Sequence, residues 1–277
     1  MADDTASHPA APEDWLREGP VLLSYCDHLA TLTLNRPQAA NGMTLDLMKA
    51  LYEAVMRCHR DPRVRVVLLC GAGANFCGGG DVREFSSRGA GLGDFLKEVT
   101  SYLQIGVGAL IRLNAVVVTQ VQGFAAGGGG LGLVCASDVV IAGTSARFMA
   151  GATRVGMAPD GGASVVLQRL IGLRRAADML LTNRQVSAAE ALQIGLVTKV
   201  VPDESLATET LALARTIAAG APKALAATKR LLWNGVGLSV EACLPEEART
   251  VAELSATADA LEGLRAVMEK RAPQFRG

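Results

Sequence analysis

Hydrophobic and polar positions follow two rhythms along the chain, and the change comes near residue 204. Before it, short apolar runs recur, each followed by a polar or glycine-rich turn and a segment of helical period. "PVLLSYC" and "LATLTL" predict two strands with a turn between them. After the loop "LNRPQAANG", Thr44 can cap a helix in which Leu47, Met48, Leu51, Val55 and Cys58 recur at helical spacing. "DPR" closes that helix, and residues 64–70 predict a buried strand. The pattern then repeats. "VVLLCGAGANFCGGGD" leads into a helical segment ending about Leu113, and "AVVVTQVQGFAAGGGG" into a short helix before the strand "DVVIAG". Such alternation predicts an α/β fold, a mostly parallel sheet with helices against it. Beyond about Glu204 only helical pattern remains, with breaks expected at Pro222 and Pro245. The predicted organisation is a flexible tail over 1–16, an α/β core over 17–203 and a helical section over 204–277.

Composition narrows the function classes. Half of the 277 residues are hydrophobic, ample for a buried α/β core. The 27 basic and 27 acidic residues cancel, and no basic stripe favours nucleic acid or an anionic membrane. The six cysteines have no C-x-x-C spacing and mostly sit in apolar runs, as expected of small core residues in a reducing cytoplasm. No apolar run reaches 18 residues, and the acidic, Pro/Ala-rich start "MADDTASHPAAPEDW" reads as neither signal nor transit peptide. His8, His28 and His59 fall in a tail, a turn and a helix end, so neither a metal site nor a histidine-based triad is expected.

The stretch "GFAAGGGGLGLVCASD" holds the most informative chemistry. Gly127, Gly129 and Gly132 spell G-x-G-x-x-G after an apolar strand. A dinucleotide-binding loop would also need an acidic residue ending the next strand, and "DVVIAGTSAR" has none there. No G-K-[ST] and no G-x-S-x-G is present. Glycine as bare backbone remains. Where a helix begins after such a turn, its first N–H groups are free and can face a ligand oxygen. The loops "NFCGGGD" and "AAGGGGLG" could each point one N–H at a single carbonyl, making an oxyanion hole for thioester or ester chemistry. Equally, both could be tight turns where backbones pass closely.

Together with "LNRPQAANG", "FCGGGD", "RVGMAPDGGASVVLQRLIG", "LLTNRQVSAAEALQIGLVTKVVP" and "EGLRAVMEKRAPQFRG", this stretch resembles the crotonase superfamily, the enoyl-CoA hydratase/isomerase family, from about Pro20 to Gly277. The resemblance implies a spiral of ββα repeats with a C-terminal helical section that forms a homo-trimer or hexamer. It also implies an acyl-CoA thioester substrate of the kind met in fatty acid metabolism, with coenzyme A part of the substrate and no other cofactor.

The resemblance implies site residues too. One oxyanion N–H falls on Gly80, before Asp81, and the second on the glycine run. Counting back from Asp138 selects Gly129, the preferred match; counting forward from Gly123 selects Gly128. The two glutamates of hydratases are missing: Leu131 or Gly132 holds the first position and Ala152 the second. The carboxylate left is Asp160, at a position that some family isomerases use to shuttle a proton and that dehalogenase-type members use as a nucleophile. Its plainer role is a turn residue before Gly161 and Gly162. Isomerisation with Asp160 as single acid/base is therefore expected. Hydration through Asp160 and water, a dehalogenase or hydrolase, and a non-catalytic CoA-binding homologue are the alternatives. For the CoA moiety the resemblance points to Gln38 and Ala40 near adenine, to Cys77 and Gly78 along the pantetheine, to Asp81 and Gly128 as further CoA-binding positions, and to Lys270 and Phe275 at the nucleotide. The last two act in some members from a neighbouring subunit.

Overall fold

The computed structural model describes residues 11–277. A seven-stranded sheet is built in the order β1-β2-β3-β4-β5-β7-β10. Its strands are β1 (Glu13–Leu16), β2 (Val21–Cys26), β3 (Leu29–Leu34), β4 (Val66–Gly71), β5 (Val116–Val121), β7 (Val139–Gly143) and β10 (Lys199–Val201). β1 to β3 pair antiparallel; from β3 onward every pairing is parallel. Part of the flexible tail expected over 1–16 is ordered: Glu13–Leu16 pairs with β2 as an edge strand, where Trp15 stacks on Tyr25 at 5.1 Å, and residues 1–10 of that expectation lie outside the described residues. His8 lies outside the described residues.

Helix α1 (Leu45–Arg60) begins as expected, with Thr44 accepting the Leu47 N–H at 3.2 Å. Its stripe of Leu47, Met48, Leu51, Val55 and Cys58 is buried against the sheet and against helix α3 (Leu92–Arg112). A short helix α2 (Val82–Ser86) precedes α3. The other face of the sheet is covered by α8 (Leu206–Ala218), whose Ala214 and Ala218 pack on Leu29, Val66, Leu68, Val116 and Val118. β4, and β5 over residues 116–118, are thus apolar on both faces, which is why they read as unbroken hydrophobic runs.

A second, three-stranded sheet is made of β6 (Phe124–Ala126), β8 (Arg147–Met149) and β9 (Val186–Ser187). β5 and β7 are each followed by a short strand in this second layer and then a helix. β5 runs to β6 and α4 (Gly127–Cys135), and β7 runs to β8 and α5 (Ala163–Ile171). That is the ββα spiral. Helices α6 (Leu173–Thr182) and α7 (Ala188–Gln193) complete the core.

The helical section continues with α9 (Pro222–Gly235), α10 (Val240–Ser255) and α11 (Ala258–Glu269). Pro222 opens α9 as expected. Pro245 does not break the chain: α10 runs through it, and the turn falls earlier, at Gly237 with φ 92°. A buried ion pair docks α9 on the core. Lys229 Nζ lies 2.8 Å from Asp138 Oδ2 and donates to the carbonyls of Leu110 and Ala115, while Trp233 Nε1 donates to Asp138 Oδ1 at 2.6 Å.

Candidate active site

Two glycine loops meet at the C-terminal ends of β4 and β5. The chain after β4 turns back so that Cys77 N–H donates to Phe124 O at 2.9 Å and Cys77 O accepts from Ala126 N–H at 2.9 Å. On its other side the same segment is laced to residues 40–43. Gly78 N–H donates to Ala40 O, Met43 N–H to Gly79 O, and Asp81 N–H to Met43 O. Gly80 N–H is left without a backbone partner among the described residues. Helix α4 starts alongside. Its first-turn N–H groups, on Gly127, Gly128 and Gly129, have no carbonyl a turn earlier within the helix to bond. A side chain on Gly127 would come within 3.7 Å of Gly80 N, so the two sets of free N–H groups are neighbours.

The turn carrying Asp160 packs directly on α4. Gly161 takes φ 57°, and a Cβ there would lie 2.6 Å from Gly128 O; a Cβ on Gly132 would lie 2.7 Å from Gly161 O. Backbone meets backbone, and no larger residue fits. A Cβ on Gly128 would fall inside the Asp160 carboxylate. Gly128 therefore makes room for the acid. Burial pushes the Asp160 carboxyl above the ordinary aspartate range, only partly opposed by its own backbone N–H, and no ion pair reaches it among the described residues.

These groups share a cavity of about 430 Å³. Met48 of α1 and Val99, Thr100 and Leu103 of α3 line its apolar end, and Phe85 of α2 lies over Gly80. Among the residues lining it, Asp160 is the single carboxylate and Arg154 the single cation. Ala152 does line the cavity, so the second hydratase-type position faces it with a methyl group. Leu131 is fully buried in the core, and Gly132 is closed off by Gly161.

Of the residues expected at the site, Asp160, Gly80, Gly128, Gly129 and Gly78 line one cavity. The others stand elsewhere. Cys77 is fully buried behind the loop, its thiol donating to Asn41 O and pushed up to about 12 by burial, so it does not border a pantetheine path. Asp81 caps α2, accepting from Arg83 and Glu84 N–H, and pairs with Arg36 at 3.0 Å. Burial alone would raise its carboxyl, but those donors and Arg36 hold it below the usual range. Gln38 is exposed on a short turn, and Ala40 holds Gly78 through its carbonyl.

Lys270 and Phe275 do not approach the cavity of their own chain. Lys270 caps α11 in left-handed backbone, and Phe275 O accepts from Arg65, which precedes β4 at the end of the sheet remote from Gly80. The C-terminal segment is folded back by Asp259, which accepts the N–H groups of Arg276 and Gly277. Sequence reading missed the cavity wall of Met43, Met48, Phe85, Val99 and Leu103, because helical spacing marks such residues as core and not which of them face a void. It also missed Asn41, whose Asn-Gly dipeptide signals only a turn.

The family model described as enoyl-CoA hydratase/isomerase matches residues 26–277. An enoyl-CoA hydratase of Mycobacterium tuberculosis is 35% identical over 257 residues, covering 90% of this chain and 93% of that protein. The 1,2-epoxyphenylacetyl-CoA isomerase of Escherichia coli is 34% identical over 248 residues, covering 89% and 94%. The crystal structure of an enoyl-CoA hydratase from Bacillus anthracis superposes with a TM-score of 0.88 at 32% identity, over 94% of this chain and all of that one. The fold and the cavity at its strand ends define a crotonase-type α/β protein. The chain belongs to the enoyl-CoA hydratase/isomerase family and is an acyl-CoA enzyme.

Proposed function

We propose that the protein moves a double bond within an enoyl-CoA, with Asp160 as its one acid/base. The observation that carries this reading is the Asp160 carboxylate, the single one in the cavity and without an ion pair among the described residues, beside the unpaired N–H groups of Gly80 and of Gly128 and Gly129. Ionised Asp160 removes a proton from the α-carbon of a β,γ-enoyl thioester. The electron pair moves onto the thioester oxygen, which Gly80 N–H and a first-turn N–H of α4, from Gly129 or Gly128, hold as an enolate. The proton then returns from Asp160 to the γ-carbon, the α,β double bond forms, and the mass of the substrate is unchanged. A carboxyl raised by burial suits both halves, since it is a better base when ionised and still gives the proton back.

Hydration would need a second group to activate water, and Ala152, Leu131 and Gly132 offer none. The Escherichia coli relative, named 1,2-epoxyphenylacetyl-CoA isomerase, shows that isomerases as well as hydratases occur among relatives this similar. The apolar wall of Met48, Val99 and Leu103 suits a hydrocarbon acyl group. No cofactor beyond the CoA of the substrate enters this scheme. Gly78 borders the pantetheine, and Gln38 and Ala40 lie near the adenine, while Lys270 and Phe275 reach the nucleotide in a neighbouring copy of a trimer or hexamer. Work in the cytoplasm is part of this proposal; no helix among the described residues is long and apolar enough to cross a membrane.

The test supplies a 3-enoyl-CoA and follows the ultraviolet band of the conjugated product, with crotonyl-CoA hydration measured in parallel. Conjugation much faster than hydration is expected. Rapid hydration with no conjugation would overturn the reading.

A further inference from the structure

Asn41 is fully buried, sits in left-handed backbone at φ 53°, and joins the early loop to the first glycine loop. Its side-chain Nδ2 lies 2.9 Å from Ala72 O, 2.8 Å from Asn75 O and 3.1 Å from Phe76 O. An amide has two N–H groups, so one of them is shared between carbonyls. Oδ1 accepts the Arg36 N–H at 2.8 Å, and the Asn41 N–H donates to Arg36 O at 2.9 Å, closing residues 36–41 into a ring. The Asn41 carbonyl accepts the Cys77 thiol at 3.3 Å. Every polar group of this residue is therefore engaged, and most contacts lead to residues 72–77.

That segment runs into Gly80. Phe76 is held through its carbonyl and Cys77 through its thiol, both by Asn41; Gly78 is held by Ala40 O. The peptide between Gly79 and Gly80 carries the free N–H, and its carbonyl is fixed by Met43 N–H, two residues beyond Asn41. The direction of the Gly80 N–H thus depends on how residues 40–43 lie against 76–79. Asn41 sets that register. The Asn75 side chain extends the same control to the second loop, because its Oδ1 accepts the Phe124 N–H at 3.0 Å at the start of β6.

We infer that Asn41 is a positioning residue that aims the Gly80 N–H, an inference that rests on the oxyanion reading of that N–H. The residue type follows from the site. Left-handed backbone favours glycine or asparagine, and only asparagine brings N–H donors to three converging carbonyls. Aspartate would be of equal size but would set a charged acceptor against them.

The test compares wild type with Asn41→Gly, which keeps the backbone freedom and loses the amide, and Asn41→Ser, which keeps one donor. The probe is acetoacetyl-CoA, whose enolate absorbs in the ultraviolet, so a pH titration of the complex reads how strongly the site holds an enolate oxygen. Butyryl-CoA affinity reports ground-state binding. Asn41→Gly should lower kcat about 100-fold, the order expected when a donor is misplaced. It should lower the bound enolate fraction by about tenfold or more, while butyryl-CoA affinity and KM change by less than ~3-fold. Asn41→Ser should fall between. A folded Asn41→Gly protein that holds the enolate as wild type does would overturn the inference. So would failure of both variants to fold, which would make Asn41 a residue of global stability. A wild-type complex that favours no enolate would instead overturn the oxyanion reading, and the inference with it.

Discussion

The Asp160 carboxylate fills the space that a side chain on Gly128 would occupy. An acid and the first turn of a helix are thereby brought within one residue's width, which only glycine permits. Gly128→Ala should push the carboxylate away from the free N–H groups and cost about 100-fold in kcat, since small misplacements of reacting groups are that expensive. Steady-state kinetics on the folded variant checks this. Unchanged kcat would separate Asp160 from the chemistry.

Under the proposed mechanism Asp160 links activity to pH, and its burial links pH to stability. Its folded carboxyl is raised by burial, so below the unfolded value the acid is protonated in both states and contributes nothing. As pH rises from the unfolded to the folded value, the unfolded chain gives up a proton that the folded state keeps, so stability falls until the buried carboxyl itself ionises. Asp160→Asn should therefore raise Tm at neutral pH and leave it unchanged near pH ~3. Activity of wild type should fall as pH drops through the raised carboxyl value, because the base must be ionised. A lower Tm for Asp160→Asn at neutral pH would contradict the account of its burial.

The pair Lys229–Asp138 ties the helical section to the core with both side chains largely buried. Lys229→Met would strand Asp138 and remove a donor from the carbonyls of Leu110 and Ala115. A loss of about 3–5 kcal/mol is expected, the usual cost of breaking a buried pair on one side. Urea unfolding measures it.

Exposed apolar residues on α10 and α11, with Val251 at 66%, Leu264 at 65%, Val267 at 78% and Met268 at 83%, leave an apolar face of each helix uncovered in one chain. Light scattering on a sizing column should give a trimer or hexamer. A monomer at micromolar concentration would contradict that assembly.

Periodicity made much of the fold legible. β2, β3, β4, β5 and β7 are long or apolar enough to show themselves, and the Thr44 cap and the stripe of α1 obey simple spacing rules. β6, β8 and β9 are two or three residues long, too short for any period, and so the second sheet was invisible. Pro245 looked like a break because the sequence does not show that flanking residues hold α10 through it. Of the candidate cavity, the sequence pointed to the glycines and Asp160 that line it, where a motif fixes local backbone. It was illegible at Asn41, whose partners at 72–76 lie some thirty residues away in sequence.

The central claim is that one carboxylate collects and returns the same proton. The most direct measurement supplies a 3-enoyl-CoA deuterated at the α-carbon and locates the label in the product by mass spectrometry and NMR. The account predicts deuterium carried to the γ-carbon in part, with loss of at least ~100-fold in rate for Asp160→Asn. Isomerisation at the wild-type rate by Asp160→Asn, with all label lost to solvent, would contradict it.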